Sequence, residues 1–263
     1  MNTIGFIGMG NMALAITEGF TRSGKVRAEE IYAFAPNQDK LHKNAERLGF
    51  QPVSDMVELV RTAEYLIVAC KPYQIDDVLS GVREELRGKA VISIAAGWTY
   101  ETYAAKLPSD VRIQCIMPNT PAMVGEGVML FEEQHSLTKE EHDYIMELFA
   151  TLGIVEELPT RLMGIGGAIS GCGPAFMDLI MEAYADAAVK YGISRETAYR
   201  LVSQTMLGSA KLQQTSGSHP GVLKDAVCSP AGTTIRGVEA LEHGGLRAAC
   251  MDSVNVIMDM KRG

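Results

Sequence analysis

The chain has 263 residues, 47% of them hydrophobic, and a formal net charge of −8. That length fits about two domains at roughly 150 residues each, the apolar share is ample for buried cores, and the acidic balance excludes a general nucleic-acid partner. Cys70, Cys115, Cys172, Cys228 and Cys250 form no CxxC pair, which points to reduced thiols in a cytoplasmic protein and to no metal site.

In chain order, residues 3–8 (TIGFIG) read as a short apolar strand ending in glycine. Residues 12–24 follow with apolar positions at helical spacing and a stop at Gly24. Strand IYAFA, a helix over 40–48 and a short strand over 50–53 come next, and Ser54 is the expected N-cap of the following helix. The continuous run YLIVAC fits a strand covered on both faces. A helix over 74–86, strands KAVISIAA and VRIQCIMP, a helix over 138–151 and a closing strand GIVEEL complete the first part. This βαβα rhythm over residues 1–158 predicts an α/β fold, a Rossmann-type doubly wound parallel sheet.

From residue 159 to 263 the strand signal stops, and an all-helical domain is expected. Pro174 begins a helix to about Tyr191, Ser194 caps one to about Gln214, and a last helix covers about Leu246 to Lys261. Residues 164–173 have linker character. The apolar surface of this domain is generous for its size, which suggests a subunit interface. No run reaches ~18 apolar residues, so no membrane span or membrane partner is expected, and the glycine-broken N-terminus does not read as a signal peptide.

Gly8-Met9-Gly10-Asn11-Met12-Ala13 fits G-x-G-x-x-G/A between the first strand and first helix. Gly8 permits the tight turn, Gly10 lets a pyrophosphate approach the backbone, and Ala13 lets helix and strand pack closely. An acid ending the second strand would hold the ribose 2′-hydroxyl of NAD. Residues 33–37 contain none and Lys40 is near, which favours NADP while leaving NAD open. Lys71-Pro72 and Ala95-Ala96-Gly97 end the fourth and fifth strands at the edge where such sheets bind ligands. Met117-Pro118-Asn119-Thr120-Pro121 forms a rigid polar corner that should face the nicotinamide.

A second anion seat lies in residues 223–242, LKDAVCSPAGTTIRGVEALE. Small residues and hydroxyls precede a helix there, and the first backbone N–H groups of a helix have no partner. With phosphates housed at residues 8–13, this seat suits a substrate carboxylate. Neither MPNTP (117–121) nor SGCGPAF (170–176) contains a strong acid, base or metal-ligand cluster. Reduction of a ketone usually needs a placed acid–base group, whereas hydride transfer to a protonated imine needs much less.

GFIGMGNM, ACKP, SIAAG, MPNTP, SGCGPAF and the 223–242 stretch, in that order, resemble the pyrroline-5-carboxylate reductase family over essentially the whole chain. The resemblance implies reduction of the small-molecule substrate 1-pyrroline-5-carboxylate to L-proline with NAD(P)H. It also implies a homodimer or larger homo-oligomer built through the helical domain. Carried over by position, Phe6, Ile7, Gly8, Met9, Gly10, Asn11, Met12 and Ala13 would hold the pyrophosphate. Ala35, Asn37, Ser54, Asp55 and Met56 would lie near the adenosine end, and Ala69, Cys70, Lys71, Pro72, Ala95, Ala96 and Gly97 would line the nicotinamide ribose, with Asn119 beside the nicotinamide. Ser229, Gly232 and Thr233 would bind the substrate carboxylate, and Thr233 or Thr234 would serve catalysis by bonding the ring nitrogen. Ser229 and Thr233 also suit plain helix capping, Thr234 a buried structural hydroxyl, and Cys172 and Cys228 packing.

The sequence departs from the family at Gly164-Ile165-Gly166-Gly167-Ala168-Ile169-Ser170, where relatives carry Asp and Thr in a pattern like DAVTGLSG. That departure keeps two other readings open. One is a related cyclic-imine or β-hydroxyacid reductase, the other a paralogue that binds dinucleotide but regulates. For a β-hydroxyacid dehydrogenase, Lys190, Lys211 and Lys224 lack the expected catalytic context.

Overall fold

A computed structural model describes residues 2–260. Residue contacts divide them into two units, met by a break between Gly171 and Cys172.

The first unit opens with β1 (Ile4–Ile7) and α1 (Asn11–Arg22), then β2 (Ile31–Phe34), α2 (Gln38–Leu48) and β3 (Gln51–Pro52). Next come α3 (Met56–Thr62), β4 (Tyr65–Val68), α4 (Ile75–Ser80), β5 (Ala90–Ser93) and α5 (Tyr100–Ala104). The unit closes with β6 (Arg112–Met117), β7 (Gly127–Glu132), α6 (Lys139–Phe149), β8 (Gly153–Leu158) and α7 (Thr160–Ser170). The eight strands form one sheet in the order β3-β2-β1-β4-β5-β6-β7-β8. Every neighbouring pair is parallel except β6 with β7.

Burial on both faces explains the continuous apolar strands. Phe6, Ile67 and Ile92 join Ile16 and Phe20 of α1 and Ile145 and Leu148 of α6 in one core. Their strand neighbours Ile7, Val68 and Val91 turn to the other face and pack with Leu59 of α3, Ile75 of α4 and Tyr103 of α5. Successive strand residues point to opposite faces, so the two helix layers follow from the same strands.

Several expectations need correction. The antiparallel strand β7 was not anticipated, although its VMLF core is a clear apolar run. Asp55, not Ser54, is the N-cap of α3, because its two carboxylate oxygens take the N–H groups of Val57 and Glu58. The helix expected over 74–86 stops at Ser80, and turns follow. Residues 164–170 are not a linker but the body of α7. Glycines there let α7 lie directly on the sheet: a β-carbon at Gly166 would stand 2.7 Å from Leu158 and 2.8 Å from Leu130, and one at Gly167 would collide with Met117.

The second unit contains α8 (Gly173–Lys190), α9 (Arg195–Ser216), α10 (Pro220–Val227), α11 (Thr233–His243) and α12 (Leu246–Met260). Ser194 caps α9 through the N–H of Thr197, and Gly217 ends it in the left-handed region. Among the described residues of this unit only Ala185 and Ala198 are buried, while Leu179 and Met251 are 66% and 68% exposed. The expected end of the last helix at Lys261 lies outside the described residues. One helical stretch, Thr160–Lys190, is long and apolar enough to cross a membrane by length and composition alone. It comprises the glycine-rich α7 that packs on the sheet and the apolar α8.

Candidate active site

The register of the parallel strands sets the site. Phe34 pairs with Ile7, Ile7 with Val68, Val68 with Ser93, and Ser93 with Cys115. One row of residues therefore crosses β2, β1, β4, β5 and β6, and the motifs that follow these strands emerge at one carboxyl edge. The strand order reverses direction between β1 and β4, which is where such sheets open a ligand crevice.

A cavity of about 320 Å³ lies at that reversal. Its floor is Ile7, Gly8, Met9 and Gly10, and its far side is Ala69, Cys70 and Lys71. Ala35, Asn37 and Met56 complete the wall expected from the sequence. Gln74 and Val78, one helical turn apart at the start of α4, and Leu41 of α2 also line it and were missed. Their i, i+4 spacing was a readable signal, but nothing local says which face of α4 meets the crevice.

Gly8 and Gly10 have different reasons to be glycine. Gly8 has φ +97°, and a β-carbon there would stand 2.9 Å from the backbone nitrogen of Cys70. Around Gly10 a β-carbon would meet nothing within 4 Å, so its bareness serves the open side. Gly10 is also the N-cap of α1 and offers no side-chain cap, which leaves the first N–H groups of α1 to an anion. A dinucleotide pyrophosphate fits that cradle.

At the opposite end of the cavity the Asn37 side chain accepts the N–H of Lys40 at 2.9 Å and caps α2. Lys40 lines the same wall and makes no ion pair among the described residues. Cys70 is half-buried, and burial pushes its thiol pKa up, so it stays neutral.

Other expected residues stand outside the cavity lining. Phe6 is fully buried in the core, with its backbone in the sheet. Asn11, Met12 and Ala13 form the first turn of α1, and Ala13 is buried against the core. Ser54 and Pro72 are exposed, and Asp55 is engaged as a cap. Ala95, Ala96 and Gly97 lie just beyond Ser93 at the carboxyl edge, with Gly97 in the left-handed region. Asn119 is buried, and its amide bonds the carbonyl of Ser170 and the N–H of Val128.

In the second unit Gly232 is the N-cap of α11 and has no side-chain cap. A β-carbon on it would stand 2.7 Å from the Ser229 hydroxyl oxygen, and its N–H bonds the Ser229 carbonyl at 3.0 Å. Ala231 between them has φ +58°, a strain of roughly 1–2 kcal/mol for a non-glycine residue. The 229–232 turn thus folds the Ser229 hydroxyl over a helix start whose N–H groups are open. Thr233 and Thr234 are both exposed in the single chain.

The family described as "Pyrroline-5-carboxylate reductase dimerisation" matches residues 160–262, and that described as "NADP oxidoreductase coenzyme F420-dependent" matches residues 3–97. A pyrroline-5-carboxylate reductase from Treponema pallidum is 42% identical over 97% of this chain and 98% of its own length. The chain belongs to the pyrroline-5-carboxylate reductase family. The Escherichia coli pyrroline-5-carboxylate reductase is 37% identical over 97% of this chain and 96% of its own length. A crystal structure of the Plasmodium falciparum pyrroline carboxylate reductase with NADP bound matches with a TM-score of 0.89. It is 30% identical and covers 98% of this chain and 96% of its own. The family makes this chain an NAD(P)-dependent oxidoreductase with a Rossmann-type sheet followed by helices.

Proposed function

We propose that this protein reduces 1-pyrroline-5-carboxylate to L-proline with NADPH as donor. The observation that carries the reading is the uncapped start of α11 with the Ser229 hydroxyl folded over Gly232, in a chain with a further uncapped helix start at Gly10 on the floor of the crevice cavity. Phosphates and a carboxylate each have a seat.

The bound reduced nicotinamide supplies a hydride. Gly8, Gly10 and the first turn of α1 hold the pyrophosphate, and Ala69 to Pro72 with Ala95 to Gly97 line the nicotinamide ribose. Asn119 shapes that corner from behind. Ser229 and the N–H groups of Gly232 and Thr233 fix the substrate carboxylate by charge-assisted hydrogen bonds. The Thr233 or Thr234 hydroxyl accepts the N–H of the protonated imine. Hydride adds to the imine carbon, its C=N π electrons pass to nitrogen, and the ring proton remains there. The iminium is already electrophilic, so placement carries most of the rate. Lys40 and Asn37 at the adenosine end, with no acid ending β2, favour the 2′-phosphate of NADP over NAD.

The second unit completes its core with another copy of the chain. Apolar side chains on α8 and α12 are exposed while almost nothing within the unit is buried, and larger exposed apolar areas mark interaction sites. Its match to the family's dimerisation region gives the partner as a second copy. The five free thiols support a reducing compartment, the cytoplasm.

The deciding experiment follows NADPH absorbance on adding 1-pyrroline-5-carboxylate, then repeats it with NADH. Turnover with NADPH as the better donor is expected. Binding of NADPH without turnover would replace this reading by a regulatory one, and turnover only with larger cyclic imines by a related reductase.

A further inference from the structure

Glu132 is the last residue of β7, and it is 1% exposed. One carboxylate oxygen accepts the N–H of Tyr100 at 2.7 Å, and the other accepts the hydroxyl of Thr160 at 2.7 Å. Tyr100 opens α5 and Thr160 opens α7. No ion pair to Glu132 is present among the described residues. A buried carboxylate without a cation is expensive, and an apolar residue would fill the same space at less cost. The group therefore needs a reason that packing does not give.

The segment it holds supplies that reason. Ser93, also buried, accepts the N–H of Ala95 at 3.2 Å and shares a 2.8 Å hydrogen bond with the buried Tyr103 hydroxyl. The stretch from Ala95 to Tyr100 is thus anchored at its start by Ser93 and at its end by Glu132. Between the anchors the Trp98 ring lies 4.8 Å from that of Tyr103. The outward face is bare: Ala96 and Gly97 are exposed, and a β-carbon on Gly97 would meet nothing within 4 Å. The Cys115 thiol lies beside Glu132, and burial together with that carboxylate pushes its pKa up, so it remains a neutral thiol and not a competing charge.

We propose that Glu132 is a positioning residue for the nicotinamide half of the cofactor. Its carboxylate fixes the back of the 95–100 turn so that the bare front stays in one place. This rests on the reading above that Ala95 to Gly97 line the nicotinamide ribose. The adenosine half, held in the cavity around Gly8 and Asn37, is independent of Glu132.

The chain has a single tryptophan, Trp98, inside this turn, so its fluorescence reports the turn directly. The test compares wild type with Glu132→Ala, Glu132→Gln and Thr160→Val. Iodide quenching of Trp98 and the dissociation constants of NADPH and of 2′,5′-ADP are measured on each. Glu132→Ala is expected to raise quenching about twofold and weaken NADPH about tenfold, with 2′,5′-ADP unchanged, because a shifted contact loses only what it touched. Turnover should fall further than NADPH binding. Glu132→Gln, which still accepts from Tyr100 and donates to Thr160, should restore both readouts to near wild type. Thr160→Val, which leaves Tyr100 in place, should give an intermediate loss and serves if Glu132→Ala does not fold. Wild-type quenching and an unchanged ratio of NADPH to 2′,5′-ADP affinity in both Glu132→Ala and Thr160→Val would overturn the proposal. With Glu132→Ala unfolded, the same result in Thr160→Val alone would do so. A wild-type protein that fails to reduce 1-pyrroline-5-carboxylate would instead overturn the proposed function, and the quenching and binding measurements would still decide the role of Glu132.

Discussion

Asn119 donates its side-chain amide to the carbonyl of Ser170 at 3.0 Å, tying the polar corner after β6 to the last residue of α7. The amide oxygen accepts the N–H of Val128 at 2.8 Å, and both partners fix which way the amide points. Asn119→Ala should cost about 1–3 kcal/mol, because a buried carbonyl and a part-buried N–H lose their partner. Asn119→Asp keeps the acceptor but sets a carboxylate oxygen against the Ser170 carbonyl, and should be no better. Urea midpoints at unchanged m-value would check both.

Gly8→Ala should be severe. The new β-carbon would meet backbone atoms of Ala69 and Cys70 at 2.9–3.0 Å, and φ +97° is strained for any side chain. Backbone atoms cannot swing aside as side chains do, so a loss of roughly 2–4 kcal/mol is expected from overpacking and strain together. NADPH binding should fall with it. A variant that keeps wild-type thermal stability and NADPH affinity would contradict the close approach of β1 and β4.

Thr233→Ala should separate binding from turnover. Thr233 is exposed at the first position of α11 in the single chain. Turnover of 1-pyrroline-5-carboxylate should drop about 10–100-fold, as expected for losing one hydrogen bond of about 1.5–3 kcal/mol to a charged group, while the NADPH dissociation constant stays within experimental scatter. Equal losses in both would remove Thr233 from the substrate seat.

Acid stability should depend on Glu141. Burial pushes its carboxyl pKa up, but hydrogen bonds from Arg112, at 2.7–2.9 Å, and from the N–H of Thr138 outweigh that and hold it below the ordinary value. The unfolded chain binds that proton more readily than the folded one, so the contribution is fully present above the ordinary carboxylate range. It is lost as pH falls through the folded-state value. Glu141→Gln should cost about 1–3 kcal/mol at neutral pH. Its deficit against wild type should shrink below about pH 4, as read from urea unfolding across pH.

The legible parts of this protein were the local ones. Apolar runs gave seven of the eight strands now seen, the Gly8–Ala13 pattern marked the cavity floor, and small residues before Thr233 marked the second anion seat. Each signal sits within one short window, since strand period, glycine freedom and missing helix caps are properties of neighbouring residues. Residues 164–170 misled because four positions from Gly164 to Gly167 include three glycines, a composition that locally favours a loop. In the fold the same bareness admits α7 onto Leu130 and Leu158.

The amino-acid sequence by itself determined the layered sheet, the helical second half, the dinucleotide turn and the family. Only the tertiary structure decided which motifs share an edge. The row Phe34, Ile7, Val68, Ser93 and Cys115 brings residues from four crossovers into register, and Asn119 meets Ser170 across a separation of 51 positions. Nothing in the sequence around Glu132 singles it out. It becomes a buried clamp on Tyr100 and Thr160 because strand pairing carries it inside, and pairing between distant segments leaves no trace in any short window.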